Sequence, residues 1–318
     1  MTSIFLNASE SRLKTGWRLL IFLCVFWICA SLIFLIKPLL GDIGKKEFLQ
    51  DYSLLIVTIL AFAATLSIYF ARKHLDKKTF TSLGLKMNKR TFQDIIFGFL
   101  LSGLMAGLFF MILISCNLIE YNGIQIGASD LSTTDGFNFV RYMKVISIGS
   151  LLLLLLEHIL VGYWEEIFFR GYLFQNMIDG LGLKVAIIIS CILYGLIHAM
   201  NPNAGILSSL IILLFGFLRI YGYLSTKLLW LSIGMHIGWN FFQGPIFGFA
   251  ASGHQKATLL NSTFISEKDW LTGGAFGPEG SIIIIPILML ALWIMRWYSK
   301  KYHSETRNPN RELVITSN

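Results

Sequence analysis

The sequence predicts an all-α, polytopic transmembrane bundle of about eight helices, and three observations lead there. Only 14% of the 318 residues are charged and 55% are hydrophobic, against roughly 25% charged in an ordinary soluble domain. Apolar stretches near the length a helix needs to cross the hydrocarbon core, about 20 residues, recur along the chain. The alternation of a membrane β-barrel is visible nowhere.

In order, the stretches run over 17–39, 52–72, 94–117, 143–165, 184–200, 205–224, 228–250 and 280–298. The first follows Arg12, Lys14 and Arg18, as a secretory signal would. Leu19 to Ile36 is long for a signal core, however, and ends in Lys37-Pro38 instead of a small-residue cleavage site. It reads as a retained helix. Two loops are long, 118–142 and 251–279, and the glycines between 273 and 280 predict a turn-rich element in the second. The polar tail at about 299–318 reads as disordered. With no repeat of fixed period, the economical reading is a single membrane-embedded domain, 1–318, whose motif-bearing core lies at about 143–250.

A net charge of +8 would suggest nucleic acid as the partner of a soluble protein. Here Lys and Arg sit in short clusters between apolar stretches, so the lipid bilayer is the partner and nucleic acid is not. If both ends face the cytoplasm, 19 of the 26 Lys and Arg lie on that side and 7 on the other; the positive-inside rule therefore puts both termini in the cytoplasm. The 19 include Arg18, Arg72, Arg170 and Arg219. The four cysteines lack C-x-x-C spacing and read as packing residues.

Acidic residues avoid the apolar interiors except in the fourth stretch, which carries Glu157, Glu165, Glu166 and then Arg170. A charged group at mid-membrane costs roughly 2.5 to 3.5 kcal/mol on translocon scales, so it persists where it faces a partner or a polar cavity. Glu166 and Arg170, at i and i+4, would also make an ordinary helix-stabilising ion pair. Histidines extend the pattern: His198 in the fifth stretch and His236 in the seventh, each of which alone would pass for a hydrogen-bonded packing residue. Together they are more specific. If the fourth and fifth helices form an antiparallel hairpin turning at about Gly180 to Lys184, Glu165 and His198 are equidistant from the turn and face each other at one depth. The fourth helix must then continue beyond its apolar part, through Phe168, Phe169 and Tyr172. His236 and Asn240 share one helical face, as do Tyr194 and His198. His158, seven residues before Glu165, lies nearly on the face of Glu165 and reads as a neighbour of the site.

A carboxylate and an imidazole converging in a low-dielectric cavity can hold one water and take its proton, the general-base arrangement of hydrolases. A second histidine with Asn240 can donate hydrogen bonds to the oxyanion formed when water attacks an amide. Zinc bound by Glu and two His is the competing chemistry. No H-E-x-x-H helix occurs and Asn is an uncommon zinc ligand, so water activation without a metal or other cofactor is favoured. No Ser or Cys in the motif segments is spaced for activation by either histidine.

At these residues the chain resembles the CAAX protease and bacteriocin-processing family, also called the Abi or CPBP intramembrane proteases. Three motifs match in order: E-E-x-x-x-R as Glu165 to Arg170, F/Y-x-x-x-H as Tyr194 to His198, and H-x-x-x-N as His236 to Asn240. The resemblance implies an eight-helix bundle and an intramembrane endopeptidase. Glu165 and His198 would activate water, His236 and Asn240 would stabilise the oxyanion, and Glu166 and Arg170 would support them. Tyr194 stands where Phe is common, which leaves a hydroxyl to be satisfied. The partner implied is a peptide or protein substrate in or at the cytoplasmic membrane of a prokaryote, of prenylated or leader type. Two other classes compete: a non-catalytic immunity factor against bacteriocin-like peptides, and a proton-coupled transporter, which would ordinarily show internal repeat symmetry.

Overall fold

A computed structural model of the chain describes residues 5–7, 12–40, 48, 51–125 and 147–304. The helices that carry the architecture are α1 (Thr15–Ala30, extended by Leu32–Ile36), α2 (Ser53–Phe70), α3 (Thr91–Ser115), α4 (Ile148–Glu166), α5 (Phe174–Leu181), α6 (Leu183–His198), α7 (Ile206–Thr226), α8 (Trp230–Phe241) and α9 (Ile284–Tyr302). Each of the eight apolar stretches overlaps one of these helices. Thr15–Ile36, Ser53–Leu75, Thr91–Ser115 and Ile206–Thr226 are long and apolar enough to cross a membrane by length and composition.

The distribution of side chains is that of a protein dissolved in lipid. Trp27, Phe34, Leu100, Leu210 and Trp293 are exposed, whereas Arg18, Arg72, Glu166, Arg170 and Arg219 are buried. Charged groups buried this way persist only with partners. Asp76 takes two of them: Arg18 Nη1 lies 2.7 Å from its Oδ1 and Arg72 Nη1 lies 3.0 Å from its Oδ2. The charge tally drawn from the sequence is corrected accordingly. Five of its nineteen inner-side cations, Arg12, Arg18, Arg72, Arg170 and Arg219, are buried and are not free loop charges.

The bundle is built around α8, which is buried on every side from Leu231 to Trp239. Ile233 and Ile237 join a core with Phe22, Ala64, Phe168 and Tyr194; Leu231, Met235 and Trp239 join another with Met105, Phe109, Phe215 and Ile287. Without a hydrophobic drive between helices in lipid, small residues let backbones close on one another. A Cβ on Gly234 would stand 2.3 Å from the Ile95 carbonyl oxygen, and one on Gly238 2.5 Å from that of Phe99. α3 and α8 therefore touch backbone to backbone, and Ser102 Oγ donates to the Met235 carbonyl at 2.8 Å.

The expected hairpin is present. α4 runs through a π-helical segment, Ile167–Leu173, into α5, and Gly182, with φ of 79°, turns the chain into α6. Similar π-helical segments follow α2 (Ala71–Leu75) and α8 (Phe242–Ile246).

Two features depart from the all-α reading. Short antiparallel ribbons pair Leu6–Asn7 (β1) with Arg12–Leu13 (β2), and Ile119–Ile124 (β3) with Leu260–Phe264 (β4). The second joins the two long loops, a pairing between segments so short and so far apart that neither shows sequence alternation. The helical part also extends past 299: Tyr298 Oη donates to Asp94 Oδ1 at 2.6 Å and His303 Nε2 lies 2.9 Å from the same oxygen. Residues 305–318 of the expected tail, most of the 118–142 loop and the start of the 143–165 stretch lie outside the described residues.

Candidate active site

The three motifs lie on α4 with its π-helical continuation, on α6 and on α8, and the fold brings them together in two layers. The inner layer is closed. Glu166 Oε1 lies 3.1 Å from Arg170 Nη1, 2.9 Å from His236 Nδ1 and 3.8 Å from Arg219 Nε. All four side chains are buried. The Arg170 guanidinium stacks 4.1 Å from the centre of the Tyr194 ring, a favourable cation–π contact when desolvated. Arg219 donates to the Tyr194 hydroxyl, which in turn donates to Glu165 Oε2 at 3.1 Å. The hydroxyl left over by Tyr in place of Phe is thus used.

The outer layer holds Glu165, His198 and Asn240, each only partly buried. These are the side chains that can meet water. On α6, Glu165 bonds to Tyr194, one turn before His198, whose ring centre is 4.3 Å from that of Tyr194. The tautomer of His198 follows from its partner. Its Nδ1 lies 2.8 Å from the Tyr194 carbonyl oxygen, which carries no proton, so Nδ1–H donates and Nε2 presents a lone pair. His236 is oriented differently: Nδ1 faces Glu166, and Nε2 is 3.7 Å from Glu165 Oε2. A proton at His236 Nε2 belongs either to the imidazolium or to the neutral tautomer whose Nδ1 accepts from a protonated Glu166.

His158 stays apart from this network. It is buried two turns before Glu165, and among the described residues neither ring nitrogen has a hydrogen-bond partner. Its neighbour Glu157 pairs with Lys256 Nζ at 2.8 Å, and Lys256 also donates to Ser53 Oγ at 2.7 Å. Among the described residues no group of three or more His, Cys, Asp or Glu forms an arrangement able to hold a metal ion.

Two residues at the site escaped the sequence reading. Arg219 was counted with the loop charges although it lies inside the 205–224 apolar stretch, and that position was the available signal. Glu279 gave no signal of spacing; it is carried in by the glycine-rich loop and is buried beside α8, with Oε1 accepting from Trp239 Nε1 at 2.8 Å.

Residues 147–242, which contain all three motifs, match the family described as Rce1-like type II CAAX prenyl endopeptidases. A curated relative, the uncharacterized protein YyaK of Bacillus subtilis (strain 168), is 25% identical over 181 residues, 55% of this chain and 54% of the relative. The match thus spans about half the length of each protein.

Proposed function

We infer, from a chain whose residues 147–242 match the family of Rce1-like type II CAAX prenyl endopeptidases, that the protein is an integral membrane protease that hydrolyses a peptide bond through Glu165, His198, His236 and Asn240. The observation that carries the reading is the layering of the site: three partly accessible groups standing on a closed network of Glu166, Arg170, Tyr194, Arg219 and His236.

In this mechanism a water is held between Glu165 and His198. The lone pair on His198 Nε2 and the Glu165 carboxylate are the bases available for its proton. Positioned acid–base groups of this kind contribute about 10² to 10⁴-fold. As the water attacks the scissile carbonyl, the Asn240 amide and an N–H at His236 Nε2 donate to the oxyanion, each such donor being worth about 2.7 to 4 kcal/mol. The proton taken from water then goes to the departing amine. Glu166, flanked by Arg170 and Arg219, bonds to His236 Nδ1 and fixes the ring. No metal enters these steps, in keeping with a sequence that has no H-E-x-x-H helix.

The substrate class is a membrane-associated peptide of prenylated or leader type. The name of the matched family favours the prenylated one, since an isoprenyl chain would hold the peptide at the bilayer where the site lies. The experiment uses the purified full chain in proteoliposomes with two internally quenched peptides, one ending in a prenylated cysteine motif and one of leader type. Cleavage of either that disappears in Glu165→Ala and in His198→Ala, and that survives prolonged chelation, is the expected result. Activity that both variants retain would overturn the site assignment, and activity lost on chelation and restored by zinc would overturn the metal-free mechanism. Failure of the chain to cleave either peptide while conferring resistance to a membrane-active peptide would favour the immunity reading.

A further inference from the structure

Among the described residues, Glu279 is a buried carboxylate near the site that none of the three motifs supplies. It sits in the short helical turn Pro278–Gly280, reached through Gly273, Gly274 and Gly277, all at positive φ. This path leaves no room for side chains. A Cβ on Gly277 would lie 1.9 Å from the Ala250 carbonyl oxygen, and one on Gly273 2.0 Å from that of Gly277. The loop is therefore pressed against the segment that follows α8.

The bonds of Glu279 divide between two halves of the site. Oε1 accepts from Trp239 Nε1 at 2.8 Å, with Gln243 Nε2 at 3.5 Å; Trp239 directly precedes Asn240 and follows His236 by three residues. Oε2 accepts from Ser252 Oγ at 2.5 Å. The Ser252 carbonyl in turn accepts from Asn201 Nδ2 at 3.1 Å, and the Asn201 backbone N–H is bonded to the His198 carbonyl at 3.1 Å. A second strut lies alongside: Gly253 N–H donates to the Phe276 carbonyl at 2.9 Å, while a Cβ on Gly253 would stand 2.0 Å from the Pro202 carbonyl oxygen. Glu279 is also within electrostatic reach of His198 and Arg219.

We propose that Glu279 is a positioning residue that clamps the helix bearing His236 and Asn240 to the turn following His198, and so sets the distance between the oxyanion donors and the water-activating pair. It acts through Trp239 and Ser252. A buried carboxylate suits the task because its two oxygens can accept from two directions at once. The inference rests on the protease reading for its kinetic consequence and on the bonding pattern alone for its structural one.

The test compares Glu279→Ala, Glu279→Gln and Ser252→Ala in the full chain, purified in nanodiscs, by two independent readouts. The first is hydrogen–deuterium exchange. Loss of the clamp should raise exchange in both 199–205 and 239–252, whereas a purely local role would loosen only 273–281. The second is cleavage of the peptide that the parent accepts. A displacement of about 1 Å at a reacting centre costs about 10²-fold, so Glu279→Ala should lower kcat by about that factor with KM little changed. Glu279→Gln, which retains an acceptor for Trp239 and can donate to the Ser252 hydroxyl, should recover most of both properties. Ser252→Ala removes only one arm and should loosen 199–205 more than 239–252. It also stands in should Glu279→Ala fail to fold. Exchange confined to 273–281 in both Ala variants, or parental kcat in Glu279→Ala, overturns the proposal. If the parent cleaves no peptide, the protease reading fails by itself and the exchange pattern still decides the clamp.

Discussion

Tyr194 and Glu165, on neighbouring helices, are joined by a single hydrogen bond, the Tyr194 hydroxyl donating to Glu165 Oε2 at 3.1 Å. The same hydroxyl accepts from the buried Arg219, so the proposed base is tethered to the closed layer beneath it. A hydrogen bond to a charged group contributes about 1.5 to 3 kcal/mol. Tyr194→Phe keeps the ring under Arg170 and removes the tether. It should lower kcat by about tenfold or more, since each 1.36 kcal/mol is tenfold in rate, while the protein inserts normally. Steady-state kinetics would check this; a parental kcat would show that Glu165 needs no anchor.

Arg219 is expected to matter for stability as much as for catalysis. Removing one partner from a buried ionic group costs about 3 to 5 kcal/mol because the remaining charges stay buried. Arg219→Leu should reduce membrane yield and lower the unfolding temperature of the purified protein, and Arg170→Leu should do the same. Parental melting of Arg219→Leu would mean that Glu166 is adequately held by Arg170 and His236 alone.

The contact of α3 with α8 is open to a sharper test. In Gly238→Ala the new methyl carbon would meet the Phe99 carbonyl oxygen at 2.5 Å, and backbone cannot rotate away as a side chain can. The helices must separate, moving Asn240 two residues further along. Activity should fall by about 10², the scale set by a displacement near 1 Å, with reduced thermal stability. Gly107→Ala on the same helix α3 meets only the Phe247 ring edge at 3.5 Å, an ordinary contact, and serves as the control. Equal behaviour of the two variants would remove the close crossing from the account.

Orientation is testable because the β3–β4 ribbon obliges the two long loops to lie on one side. With both termini cytoplasmic, Glu267→Cys, exposed beyond β4, should react with a membrane-impermeant maleimide added to intact cells, and Ser304→Cys should react only after lysis. Labelling is read against the parent with its native cysteines. The reverse pattern would invert the topology. Labelling of both positions in intact cells would break the single crossing, by α9, that separates them.

How much of this was legible in the sequence depends on whether a residue's partner lies along the same helix. Glu166 with Arg170 and His236 with Asn240 follow from a spacing of four, and the meeting of α4 with α6 follows from counting outward from a turn that the structure puts at Gly182. Arg219 was different. A cation in an apolar stretch reads equally as a helix end or as an interior charge, and what decides is Glu166, fifty-three positions earlier in the chain. Glu279 was less accessible still, since its partners Trp239 and Ser252 are recruited by a loop whose path depends on three glycines at positive φ. The hairpin argument paired Glu165 with His198, whereas the hydrogen bond of Glu165 to that helix goes to Tyr194. The ruler gave depth correctly to within a turn; which of two groups on the facing helix takes the bond is a matter of side-chain length and rotamer.

The π-helical segment at Ile167–Leu173 changes what the long rod from Ile148 to Leu181 can do. An α-helix advances about 100° per residue, so one extra residue in a wide turn resets the angular phase of everything beyond it. Upstream, Glu165 and Glu166 address α6, α7 and α8. Downstream, Gln175 Nε2 donates to the Leu83 carbonyl at 2.9 Å, and Asp179 Oδ2 receives Arg12 Nη2 at 3.2 Å. Those two sets of neighbours have no common geometry, and a uniform helix would satisfy only one of them. Removing a single residue from the wide turn would leave the carboxylates in place and swing Gln175 and Asp179 off their partners, uncoupling the half of the rod that performs chemistry from the half that moors it.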